Sequence, residues 1–118
     1  MKPIQLYGLK RCSTCVKAMK WLEAEGEAYE FTDYRDEPLP PALLDEAKNA
    51  LGGWEKLVNR ASTTWRNLPE ERKTPQNDGE WRALIAEFPT VVRRPLRVDA
   101  DGRINVGFSE KKYSELKG

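Results

Sequence analysis

Ile4-Gln5-Leu6-Tyr7-Gly8-Leu9-Lys10-Arg11-Cys12-Ser13-Thr14-Cys15 runs from a short apolar alternation into two cysteines separated by two residues. Ile4 to Tyr7 alternates as a half-buried strand does, and Gly8 marks the bend that ends it. From Ser13 to about Glu25 the apolar positions Cys15, Ala18, Met19 and Leu22 recur at helical spacing, with Lys17, Lys20 and Glu23 among them. Gly26 is a suitable stop for that helix. Tyr29 to Tyr34 alternates again and predicts a second strand. Strand, helix, strand in succession is a βαβ unit whose two strands run parallel.

Beyond this unit the pattern changes. Pro41 suits the first turn of a helix running through Leu43, Leu44 and Ala47, which Gly52-Gly53 ends. Trp54 to Val58 predicts another short helix, Asn59 to Arg66 a polar loop, and Glu80 to Phe88 an amphipathic helix with Trp81, Leu84, Ile85 and Phe88 on one face. Residues 38–88 thus read as a helical insertion. Strand character returns at Leu96-Arg97-Val98 and Ile104-Asn105-Val106, on either side of an Asp101-Gly102 turn that predicts a hairpin. Ser109 then caps a last helix through Tyr113 and Leu116. The order is β-α-β, helices, β-β-α, the layout of one α/β domain over 1–118 with a thioredoxin-like fold and a helical insertion.

The 118 residues are 39% hydrophobic and 33% charged, yet the formal net charge is only +1. No global field favours nucleic acid or an anionic membrane, and no apolar stretch approaches the roughly 20 residues that span a bilayer. The first residues lack the apolar core and cleavage site of a signal peptide, so the cytoplasm is the expected compartment; a monomer is expected as well. The chain contains no histidine and only two cysteines. Ser-His-Asp and Cys-His catalysis and histidine-based metal sites are therefore excluded, and no metal or bound cofactor is expected.

What remains is the thiols. A C-x-x-C opening a helix beside a βαβ pattern is the expected redox motif. Cys12 lies where unsatisfied amides and the helix dipole favour a thiolate, and Lys10 and Arg11 add positive charge, Arg11 as a candidate anion-binding residue. Cys15, one turn on, is either a resolving partner within reach of Cys12 or a small buried hydrophobe on the core face. In Arg93-Arg94-Pro95, Arg94 is either a bidentate contact for an oxyanion or for a carboxylate such as that of glutathione, or a solvated cation. Pro95 belongs at the start of a strand, where a cis peptide is one option. Arg60, alone in its polar loop, has little to recommend it by itself. The tryptophans read as packing residues, and Asp99 to Gly102 as a turn rather than a calcium loop.

Gly8, Cys12-Ser13-Thr14-Cys15, Asn59-Arg60, Thr63-Thr64-Trp65-Arg66, Arg93-Arg94-Pro95-Leu96 and Val106-Gly107-Phe108-Ser109 stand in the order seen in the arsenate reductase (ArsC) family. Nearly the whole chain resembles that family, and most of all its branch of YffB-like and Spx-like proteins. The resemblance implies that the cysteine matching Cys12 is the nucleophile, attacking arsenic in the reductases, with glutathione and glutaredoxin completing the reduction. It also implies that Arg60 and Arg94 match two of three arginines that hold the oxyanion, while the third falls at Gly107. Each charge-assisted bond contributes about 1.5–3 kcal/mol, so an oxyanion site lacking one is considerably weaker. YffB-like members are regarded as glutathione-dependent thiol reductases, and Spx-like members as redox-sensing regulators that act on RNA polymerase. The leading expectation is an arsenate reductase-related thiol oxidoreductase using Cys12, with Cys15 or glutathione resolving. Its partners would be glutathione or a small disulfide, with glutaredoxin. The alternative is an Spx-like regulator of RNA polymerase, and a true arsenate reductase ranks third because of Gly107.

Overall fold

The computed structural model describes residues 3–116. They fall into two compact units, one formed by the chain up to Glu37 together with the chain from Arg94 on, the other spanning Pro38–Arg93.

In the first unit, β1 (Ile4–Gly8), α1 (Ser13–Ala24) and β2 (Tyr29–Asp33) form the expected βαβ, and β3 (Leu96–Val98) and β4 (Ile104–Val106) form the expected hairpin. The sheet order is β2-β1-β3-β4. β1 is central: it pairs in parallel with β2, Leu6 opposite Phe31, and antiparallel with β3, Leu6 opposite Arg97. One face of β1 and one stripe of α1 explain the core. Ile4 and Leu6 meet Ala18 and Leu22, and Tyr113 of α6 (Glu110–Leu116) joins them. Ser109 caps α6 as expected, its Oγ accepting from the Lys112 amide at 3.1 Å. The Asp99–Gly102 turn closes the hairpin through the Gly102 amide donating to the Asp99 carbonyl at 2.9 Å. This is the α/β, thioredoxin-like arrangement the sequence predicts.

The second unit carries α2 (Pro41–Leu51), α3 (Trp54–Leu57), α4 (Thr63–Arg66) and α5 (Asp78–Glu87), with 3₁₀ turns at Glu70–Arg72 and Pro89–Val91. Its tryptophans pack as expected. Trp81 stacks on Trp54 and on Trp65, each with ring centroids 6.0 Å apart, and Trp54 Nε1 donates to Asp78 at 2.8 Å. Two boundaries differ from the sequence reading. Thr63 to Arg66 is a helical turn rather than loop, because Ser62 Oγ accepts from the Trp65 amide. The α5 helix starts two residues earlier than Glu80, because Asn77 caps it by accepting from the Glu80 amide at 2.9 Å. Among the described residues no helix is long and apolar enough to cross a membrane.

Candidate functional site

The first unit gathers reactive groups at the carboxyl end of β1, where the chain turns into α1. The connecting loop is tied to β2. Asp33, opposite Gly8 in the parallel register, accepts from the Lys10 amide at 3.0 Å and the Arg35 amide at 2.9 Å. These two amides hold its carboxyl below the usual carboxylate range. Lys10 Nζ reaches Asp36 at 2.8 Å on the surface.

Cys12 is the N-cap residue of α1, half-buried, with φ −75° and ψ 122°. No side-chain cap bond closes on it, so the amides of the first turn act on its sulfur as dipoles rather than as a formed cap. Burial pushes its thiol up. The Cys15 amide, the Arg94 guanidinium, the Cys15 thiol and the Thr14 amide outweigh that and hold it below the ordinary thiol value. Arg94 is itself fixed: Nη1 donates to the Tyr34 hydroxyl at 3.3 Å, and Tyr34 is buried. Burial pushes the Tyr34 phenol up to about 12, so it stays an uncharged acceptor at neutral pH.

Cys15 has the opposite surroundings. It is fully buried, and burial pushes its thiol up to about 12. Its place depends on Gly8, where a Cβ would come within 2.5 Å of the Cys15 sulfur. Only a glycine leaves that room on β1.

Pro95 is buried behind the site. Its peptide bond with Arg94 is cis, and its carbonyl accepts from the Gly107 amide at 3.0 Å. Gly107 has φ +80°, in the left-handed region. The Cβ of an arginine at this position would meet no neighbouring atom, but the residue would carry the backbone cost of that region, about 1–2 kcal/mol. The chain is therefore shaped against a third cation here as well as lacking one.

An open groove of about 590 Å³ lies over Cys12, lined by Lys10, Arg11, Asp33, Arg35 and Arg94 among others. Of the residues singled out from the sequence, Cys12, Cys15, Arg11, Arg94 and Pro95 belong to this unit. Arg60 belongs to the other unit, on an exposed turn ahead of α4. Sequence reasoning missed Asp33, Tyr34 and Arg35. The available signal was their position at the carboxyl end of a parallel strand, where α/β folds build their sites. Chemically, the groove offers a thiol held below its ordinary value beside a fixed guanidinium, with a second thiol protonated beneath it.

A model of the ArsC family matches residues 7–116. An uncharacterized protein of Haemophilus influenzae is 40% identical over 93% of this chain and 95% of its own length. The global transcriptional regulator Spx of Listeria innocua is 30% identical over 91% of this chain and 81% of its own. Among solved structures, the YFFB protein superposes with a TM-score of 0.84 at 34% identity, covering 95% of this chain and 96% of that one. On the span of the family match and on these identities, the chain belongs to the ArsC family.

Proposed function

We propose that this protein is a thiol oxidoreductase related to the arsenate reductases, with Cys12 as nucleophile and glutathione as co-substrate. The observation that carries the reading is the pairing of a Cys12 thiol held below its ordinary value with the fixed Arg94 guanidinium over an open groove. The Cys12 thiolate attacks one sulfur of a disulfide, forming a mixed disulfide and expelling the other sulfur as thiolate. Arg94 and Arg11 hold the substrate's carboxylate. Glutathione thiolate then attacks the mixed disulfide. Cys15 is the slower resolving group, because its thiol must first lose a proton that burial retains. Arsenate reduction is disfavoured by Gly107 and its backbone.

The test is the pH dependence of Cys12 alkylation in a Cys15→Ser variant, with and without glutathione disulfide. A midpoint well below 8.5 with rapid formation of a glutathione adduct supports the enzyme reading. An ordinary or unreactive thiol overturns it. A second reading, a redox-sensing regulator that binds RNA polymerase, is favoured by the identity to Spx. It requires that a polymerase subunit co-purify with the oxidised protein and not with Cys12→Ser.

A further inference from the structure

The turn that follows β2 carries a side chain that the thiol chemistry leaves unassigned. Arg35 lines the Cys12 groove, is exposed, and makes no ion pair or side-chain hydrogen bond among the described residues. Its backbone is fixed. The Asp36 and Glu37 amides donate to the Asp33 carbonyl at 3.0 Å and 3.1 Å, closing the turn around it. The Asp33 carboxylate clamps two segments at once: Oδ1 accepts from the Arg35 amide, and Oδ2 from the Lys10 amide on the loop that leads into Cys12. One carboxylate thereby sets the base of Arg35 against the segment carrying the nucleophile. The residue before it, Tyr34, is the buried acceptor that holds Arg94.

The sheet order β2-β1-β3 brings Arg35 and Arg94 in from opposite sides of β1. Gly8 stands opposite Asp33 and Tyr7 opposite Leu96, so both arginines belong to the same end of the sheet. Adjacent strands lie about 4.8 Å apart, so β2 and β3 are separated by about 10 Å, with the turn into Cys12 leaving β1 between them. The groove is rich in positive charge. Lys10, Arg11, Arg35 and Arg94 line it against Asp33 and Asp36, an excess of two cations on a chain whose formal net charge is +1. Both acids are already engaged, Asp33 by the two amides and Asp36 by Lys10. At about 590 Å³ the groove falls in the range that takes whole organic ligands rather than one small ion.

We propose that Arg35 determines specificity at this site by binding a second carboxylate of the substrate, the first being held by Arg94 and Arg11. The inference rests on the thiol reading above and deepens it: the groove selects sulfur compounds that carry two separated carboxylates on one molecule. Arg35 supplies, from the side of β2, a third guanidinium where Gly107 supplies none after β4. With no ion pair of its own to break, Arg35 gains the contact outright. Because it is exposed, solvent screens that contact, and the expected effect is several-fold rather than hundredfold. The Cys15 and Thr14 amides, the Cys15 thiol and Arg94 draw the Cys12 thiol down; Arg35 acts on binding instead.

Two unreactive ligands test this: S-methylglutathione, with two carboxylates, and its diethyl ester, with none. Each is titrated at low ionic strength into the Cys15→Ser protein, alone and with Arg35→Ala or Arg35→Lys, while the Cys12 amide resonance is followed. Arg35→Ala is expected to weaken the diacid about fivefold and the diester by less than about twofold, and Arg35→Lys to recover most of the difference. Equal weakening of both ligands, an unweakened diacid, or an Arg35→Lys as weak as Arg35→Ala overturns the proposal. So does a diacid that fails to bind. Sulfate is titrated in parallel as a compact oxyanion. If it binds as tightly as the diacid with the same dependence on Arg35, the assignment of two carboxylates falls, since one small anion then satisfies the groove. Exchange of Cys12 with glutathione disulfide is timed separately. An unreactive Cys12 beside diacid binding that depends on Arg35 sinks the thiol reading alone and supports the role of Arg35.

Discussion

Cys12 and Cys15 stand one turn apart on α1, at the open mouth of the helix and on its buried floor. At the mouth, the amides of the first turn and the Arg94 guanidinium outweigh burial and draw the thiol pKa down. On the floor, burial dominates and lifts it to about 12. The two side chains are chemically identical, so the contrast is wholly a property of place. It assigns first attack to one sulfur and leaves the other protonated until something removes its proton.

The largest expected effect lies in that contrast itself. Thiolate populations at pH 7 differ by at least about a thousandfold between a thiol below its ordinary value and one near 12. Iodoacetamide labelling followed by peptide mass mapping is expected to modify Cys12 with at least that preference. Comparable labelling of the two would erase the distinction between mouth and floor. Next comes Gly8→Ala, which sets a methyl group 2.5 Å from the Cys15 sulfur. It is expected to cost about 1–3 kcal/mol in urea unfolding. Adding Cys15→Ala removes the colliding atom, so the double variant should recover about 1 kcal/mol or more relative to additivity. Strict additivity would show that Cys15 is not tightly held. The smallest effect is Arg94→Met, which removes one of the influences that lower Cys12. It should move the Cys12 labelling profile to higher pH and slow labelling at pH 7 by about tenfold, while Cys15, which the same guanidinium draws down, moves further up. An unshifted profile would assign the acidity of Cys12 to the helix amides and the Cys15 thiol.

The parts of this arrangement that are local in sequence were legible in it. The alternation of Ile4 to Tyr7, the helical stripe of Cys15, Ala18 and Leu22, and the Asp101-Gly102 turn each specify an element without help from distant residues. The Thr63–Arg66 turn was not legible as a helix because four residues are too few to show a period. Its only sign was the serine before it, and hydroxyls cap turns and helices alike. The start of α5 was available in Asn77 and Glu80, a cap and its third residue: Glu80 Oε2 reaches back to the Gln76 amide at 3.0 Å. In the site, Arg94 announced itself beside a proline at the start of a strand. Asp33 and Tyr34 did not, because their relation to Cys12 and Arg94 exists only through the pairing of β1 with β2 and the burial that follows. The need for glycine at position 8 is likewise invisible until Cys15 is set against it.

The central strand also has a consequence for how the chain is made. β1 pairs on one side with β2, which follows it closely, and on the other with β3, which arrives only after the whole of Pro38–Arg93. Joining Leu6 to Arg97 closes most of the polypeptide into a loop, the costliest closure in this sheet. Cys12 comes from before that loop and Arg94 from its far end. A chain emerging from the ribosome therefore carries Cys12 without its guanidinium until the third strand has been synthesised and docked. Full nucleophilicity is acquired late, as a product of completed topology, and a nascent or partly unfolded molecule is correspondingly a poorer reagent.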